Sequence, residues 1–222
     1  MEDEVIYEQK RTLTSNVLGQ TFFWMFMGLL ATGIIAWYAY SSGMVLELNF
    51  NMLAIIEVAV VIIFSLFFRK LSATMVTFLY FTYAIITGFT FSVFFYIFEL
   101  QSIISLFFVS AGMFGVLAYI GMKTEKDITG WGSTLSAILI AGLILSLLNL
   151  IMGNPTLDFI LDWVLLIVFG AITIYDVNKI KMMEEYSVME PDKLYIYGAM
   201  EIYLDFINIF IRILSIFGKR ND

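Results

Sequence analysis

Residues 194–217 read LYIYGAMEIYLDFINIFIRILSIF, and the fold turns on where such a segment can lie. At about 1.5 Å per residue it is long enough to cross a hydrocarbon layer of about 30 Å as one helix. Its polar members are Glu201, Asp205, Asn208 and Arg212, spaced by four, three and four residues. At about 100° per residue they fall within an arc of roughly 60°. A charged side chain at mid-bilayer costs about 3 kcal/mol on insertion scales, and more in some simulations. A stripe of four polar groups therefore excludes lipid from that side. The segment is predicted to sit inside a bundle, with its stripe turned to protein or to water and other helices around it.

The rest of the chain supplies those helices. Hydrophobic residues make up 61% of its 222 residues and charged ones 14%, against about 25% charged in a soluble domain. Apolar runs mark seven spans, near 20–40, 52–68, 72–98, 101–122, 131–152, 159–180 and 194–217. Each is long enough to cross, and Pro155 and Pro191 both fall in connections, where helix boundaries belong. No ten-residue alternating segments of the kind a membrane barrel needs are visible. The predicted fold is an all-α integral membrane protein, a seven-helix bundle with the last helix central and six around it. Residues 1–19 form a cytoplasmic N-terminal tail, 20–217 the membrane domain and 218–222 a short C-terminal tail. The acidic start of the chain does not resemble a secretory signal. Ser133, Ala137 and Ala141 are expected to allow close helix packing. Trp37, Tyr38, Tyr40 and Trp131 suit an interfacial belt.

Orientation follows from basic residues in short connections. Lys10, Arg11, Arg69, Lys70, Lys123, Lys126, Lys179, Lys181 and Lys193 fall on one face. The opposite connections, near 41–51, 99–100 and 153–158, contain no Lys or Arg. The N-terminus is thus expected in the cytoplasm. Lys219 and Arg220 resist a seventh full crossing, and a last segment that dips in and returns would satisfy them. The outer connections carry Glu47, Glu99 and Asp158, with Asp162 one turn inward; they are either solvated charges or an entrance that concentrates cations.

Composition also narrows the chemistry. The net charge of −7, from 12 basic and 19 acidic residues, excludes a nucleic-acid partner. There is no Cys and no His. Thiolate chemistry and soft-metal sites drop out, oxygen-ligated calcium or magnesium remains, and any pH response near neutrality falls to carboxylates. Deep ionisable residues occur at Glu57, at Asp176 and along the last span. Asp176, Glu201 and Asp205 exceed the one nearby base, which favours a site over an internal salt-bridge ladder of Glu201, Asp205 and Arg212. If Asp176 and Asp205 meet, two carboxylates in a low dielectric share one proton and titrate as a coupled pair. Protonated, the pair is a latch; deprotonated, it repels or takes up a cation. Arg69 and Lys70 either reach Asp176 from the cytoplasmic side or snorkel to the headgroups. Glu57 matches Arg212 in depth, and the two are expected to pair.

The runs Ile174-Tyr175-Asp176-Val177-Asn178-Lys179-Ile180 and Tyr203-Leu204-Asp205-Phe206-Ile207-Asn208-Ile209-Phe210 resemble the closing signature of the Bax inhibitor one family, the transmembrane Bax-inhibitor-motif proteins. Gly121 to Leu135 and Ile56-Glu57-Val58 look familial too. The likeness is strongest over the last third of the chain. It implies a pH-sensitive calcium leak governed by a carboxylate pair, carried here by Asp176 and Asp205, which would also hold the calcium in passage. It implies a latch residue at Arg69. Glu57, Glu201, Asn208 and Arg212, the other deep polar residues, are read as an ion pathway or polar stripe. No cofactor is implied; the partners are calcium, protons and the lipid bilayer. Thr87-Gly88-Phe89-Thr90 lacks the Gly-Pro of many eukaryotic relatives, and the lysine-rich eukaryotic tail is missing, which favours a bacterial plasma membrane. Some bacterial relatives imply an alternative, a modulator of a membrane-bound ATP-dependent protease acting through the N-terminal tail. An intramembrane aspartyl protease resembles the chain at Tyr175-Asp176, but Ile202-Tyr203-Leu204-Asp205 departs from its Gly-x-Gly-Asp motif. The chain is not expected to be an enzyme.

Overall fold

Inside hydrocarbon the backbone must satisfy its own hydrogen bonds, and for runs like these the α-helix does so. The computed structural model describes residues 2–186 and 190–221, with side chains from Val17 to Glu184 and from Glu190 to Asn221. Its helices are α1 (Glu2–Ser41), α2 (Phe50–Phe67), α3 (Ala73–Phe91), the single turn α4 (Phe94–Ile97), α5 (Leu100–Lys123), α6 (Gly132–Met152), α7 (Pro155–Tyr186) and α8 (Pro191–Phe217). Six segments are long and apolar enough to cross a membrane: Val17–Ser41, Phe50–Phe67, Ala73–Ile97, Leu100–Lys123, Thr129–Met152 and Pro155–Glu184. The seventh, α8, has the length but carries Glu201, Asp205 and Arg212 within it.

Helix ends are set by short polar side chains. Asn49 accepts from the Met52 amide at 3.1 Å to start α2, and Ser72 accepts from the Met75 amide at 3.3 Å to start α3. Gly153, at φ 64°, closes α6 in the left-handed region that favours glycine. The Asn154 side chain then accepts from the amides of Thr156 and Leu157 to open α7. In the α5–α6 connection, Asp127 accepts from the Thr129 amide at 2.8 Å. Bonds from the Thr129 side chain and amide hold the Asp127 carboxyl below the usual carboxylate range, so this cap stays charged through neutrality.

The chain divides into two units. The first joins Met1–Ile97 to Met183–Tyr203. In it α3 packs against both α1 and α2. The Tyr80 hydroxyl donates to the Trp24 carbonyl at 2.9 Å, and Gly28 is glycine because a Cβ there would strike the Tyr80 ring. Thr32 bonds the carbonyls of Gly28 and Ala84 and meets the Tyr203 hydroxyl at 2.6 Å. Tyr203 stands edge-on to Tyr80 and Tyr83. Phe68 stacks on Tyr197 at 4.2 Å, and the Lys193 ammonium donates to the Arg69 carbonyl at 2.8 Å just past the end of α2.

The second unit joins Phe98–Met182 to Leu204–Asp222. Here α5 and α7 approach closely at Gly121, where a Cβ would lie 2.7 Å from the Ile174 carbonyl. Fully buried Asn178 donates to the carbonyls of Thr124 and Lys126 and accepts from the Ile128 amide. It thereby ties the α5–α6 connection to α7, with help from Lys181, which donates to the carbonyls of Met122 and Thr124. Phe206 packs edge-on against Phe107 and Phe114 of α5. The expected small-residue contact on α6 is displaced: Ser133, Ala137 and Ala141 are exposed, and the close approach falls at Gly142, facing Leu165 of α7. A Cβ suits lipid as well as it suits a neighbouring helix, so spacing alone does not choose between them.

The last helix has no break at which it could turn back. It runs unbroken from Pro191 to Phe217. The tail beyond it docks on the connection before α5. The Glu99 amide donates to the Lys219 carbonyl at 2.9 Å, Phe98 and Arg220 form an antiparallel bridge, and the Lys219 ammonium pairs with Glu99 at 2.5 Å. The two basic residues that argued for a returning segment are thus accommodated where they are. With no native Cys to interfere, single-cysteine labelling in membrane vesicles is expected to place Lys219→Cys and Leu46→Cys on one side and Glu125→Cys on the other. Labelling of Lys219→Cys from the Glu125 side would refute the full crossing.

Candidate functional site

Around α8, from Ile196 to Leu214, every residue is buried except Glu201, Leu204, Asn208, Ile211 and Arg212, which are half-buried. At about 100° per residue these five share one face about 100° wide. It is the face that carries the polar stripe. The helix is packed everywhere except along the line of groups that gain most from water. Asp205, at the edge of this line, is 3% exposed.

The structure sets each candidate residue in place. Asp176 on α7 is 6% exposed and accepts from Lys179, one turn on, at 3.4 Å. Asp176 and Asp205 belong to the same unit, on α7 and α8. These two helices run antiparallel there, with Asp162 against Arg212 and Ser215 and Trp163 against Phe217. Asp176 lies fourteen residues along α7 from Asp162, and Asp205 seven residues along α8 from Arg212. That register leaves the two carboxyls about two helical turns apart in depth. Asn208 donates back to the Leu204 carbonyl of its own helix, and Glu201 is half-buried on the stripe. Arg69 is exposed, its guanidinium 5.9 Å from the centre of the Phe68 ring.

The expected pair of Glu57 and Arg212 is corrected. Arg212 donates to Asp162 of α7 at 2.7 Å, while Glu57 accepts from Thr90 of α3 at 2.9 Å. Both Asp162 oxygens are engaged, the second by the Ser215 hydroxyl. Depth along separate helices cannot single out a partner when two acids lie at similar depth. Asp162 is the residue that sequence reasoning passed over. It reads as the last of the outer acids, yet it is 7% exposed and supplies the Arg212 counter-charge.

Among the described residues no three of Asp and Glu gather as a metal cage. Resident calcium sites use roughly six to eight oxygens, so a two-carboxylate station suits an ion in passage.

Residues 14–222 match the model of the family described as inhibitor of apoptosis-promoting Bax1. The chain belongs to the Bax inhibitor-1 family. It is similar to the inner membrane protein YbhL of Escherichia coli K12, 38% identical over 96% of this chain and 95% of that one. It is also similar to a protein of Deinococcus radiodurans, at 28% identity over 98% of this chain and 97% of the other. A membrane protein of Streptococcus pyogenes serotype M3 is 28% identical over the whole of both chains. A multi-pass membrane protein is what both the family and the six apolar spans describe.

Breaking a mostly buried ion pair from one side strands the other charge, at about 3 kcal/mol or more. Asp162→Asn is therefore expected to lower the thermal midpoint of the purified protein sharply, and Asp162→Leu combined with Arg212→Met to recover most of the loss. Equal losses in the single and double variants would contradict the pairing.

Proposed function

We propose that this membrane protein is a pH-sensitive cation leak with calcium as the permeant ion, gated by one proton shared between Asp176 and Asp205. The single observation that carries the reading is the half-open polar face of α8, which leads along Glu201, Asn208 and Arg212 past buried Asp205. Such a face gives a hydrated ion oxygen ligands and a counter-field, while lipid is kept from it. On this reading α8 is the central helix of the bundle, the N-terminus is cytoplasmic, the membrane is a bacterial plasma membrane, and no covalent step is catalysed. Arg69 serves as a latch from the cytoplasmic end.

The sign of the gate follows from electrostatics. At low pH the shared proton joins the two carboxyls by a hydrogen bond and removes their repulsion, and the path is closed. As pH rises the proton leaves, two like charges face each other in a low dielectric, and they separate or admit a cation. Flux therefore rises with pH, by at most about tenfold per pH unit for a one-proton gate.

A second reading, a modulator of a membrane-bound ATP-dependent protease, draws on α1 beginning at Glu2, well before the apolar part of that helix at Val17. Removing residues 2–16 would abolish such a partnership and spare flux.

Reconstituted in liposomes holding a calcium dye, the wild type is expected to pass more calcium as pH rises from mildly acid to mildly alkaline. Asp176→Asn and Asp205→Asn are each expected to abolish that dependence. No flux above empty vesicles at any pH would overturn the leak and leave the modulator. Cleavage of a membrane peptide without flux would favour the aspartyl-protease alternative.

A further inference from the structure

Glu57 lies near the middle of α2, among residues as exposed as Ile55 and Val58. Its own carboxyl is half-buried and turned to α3. The base expected to neutralise it belongs to Asp162, and among the described residues Glu57 makes no ion pair. An uncompensated carboxylate at this depth is costly, so it must be protonated or neutralised by something else.

Its surroundings say what that is. Thr90 donates to the carboxyl at 2.9 Å. Thr87, one turn earlier on α3, is 2% exposed, and among the described residues its hydroxyl meets no partner in hydrogen-bond geometry. This is unusual even for this helix, because Thr77, Thr82 and Thr90 all donate to the carbonyl four residues back. The orphan hydroxyl lies near the Glu57 carboxyl and the hydroxyls of Tyr83 and Tyr203. Tyr203 is already engaged with Thr32, whereas the Tyr83 hydroxyl faces Thr87. One carboxylate thus faces the unpartnered hydroxyl of Thr87, the hydroxyl of Tyr83 beside it, and that of Thr90, which donates to it, all within the first unit. Buried polar atoms are rarely left without partners unless a ligand completes them.

We propose that Glu57, Thr87, Thr90 and Tyr83 form a cation site for a monovalent ion of the sodium class, separate from the Asp176 and Asp205 gate. Charge selects the class. A monovalent ion neutralises the single carboxylate, whereas calcium would leave a net positive charge in hydrocarbon and would want roughly six to eight oxygens. Hydroxyl and carboxylate oxygens are hard donors that suit an alkali cation stripped of most of its water. The half-buried carboxyl gives the ion a way in.

The test compares the thermal midpoint of the purified protein in sodium chloride and in choline chloride at equal ionic strength. Sodium is expected to raise the wild-type midpoint, increasingly with concentration, as any ligand of the native state does. Glu57→Gln and Thr87→Val are expected to abolish the sodium effect while melting cooperatively in choline. The same midpoint in both salts for the wild type, as when water alone fills the site, would overturn the proposal. So would a sodium effect that survives both substitutions. Should Glu57→Gln fail to fold, Thr87→Val decides alone, since it removes one hydroxyl and keeps the shape. The readout involves no flux, so this site and the leak stand or fall separately.

Discussion

A helix that carries Glu201, Asp205 and Arg212 in so apolar a chain must find protein or water for each of them, and much of the rest of the structure answers that demand. Arg212 meets Asp162, whose second oxygen is occupied by Ser215. Asp205 is buried beside aromatic packing from Phe107 and Phe114 onto its neighbour Phe206. The half-buried residues of α8 are confined to the face of the stripe, and apolar contacts fill the others. Packing apolar faces is favourable anywhere in a bundle. Leaving one polar line open along an otherwise buried helix is the feature that needs a functional reason.

The same economy of charge runs through the connections. Where a helix end leaves a carbonyl without an intrahelical partner, a Lys or Asn side chain is supplied. Lys193 serves the Arg69 carbonyl, Lys181 those of Met122 and Thr124, and Asn178 those of Thr124 and Lys126. These bonds restrain the ends of α7 and α8 nearest the basic connections.

Hydrophobic length made the helices legible. The spans expected near 52–68, 101–122 and 131–152 are found as Phe50–Phe67, Leu100–Lys123 and Gly132–Met152, because an apolar run in this setting has only one regular structure open to it. The polar stripe of α8 was legible for the same reason. What the sequence withheld was sideways information. Arg212 chose Asp162 over Glu57, and the close approach of α6 and α7 fell at Gly142 rather than along Ser133, Ala137 and Ala141. Helix rotation and neighbour choice depend on packing that no single helix encodes. The unbroken run of α8 has its basic tail compensated, since Lys219 pairs with Glu99 where the charge rule saw only an uncompensated base. Of the two proposed sites, the carboxyl pair rests on residue type and depth, which the sequence carries. The hydroxyl cluster around Glu57 could not be read there, because threonine in an apolar helix usually bonds its own backbone, and only coordinates reveal that Thr87 does not.

The central claim is that Asp176 and Asp205 hold one proton between them. Infrared difference spectroscopy on the protein in lipid, with aspartate carboxyls isotopically labelled, reads that proton directly. Between about pH 5 and 8, where no His is present to titrate, the account predicts one protonated aspartate band that disappears as pH rises and is absent from this window in both Asp176→Asn and Asp205→Asn. A band that persists unchanged in either variant, or two aspartates that are fully ionised throughout, would contradict it.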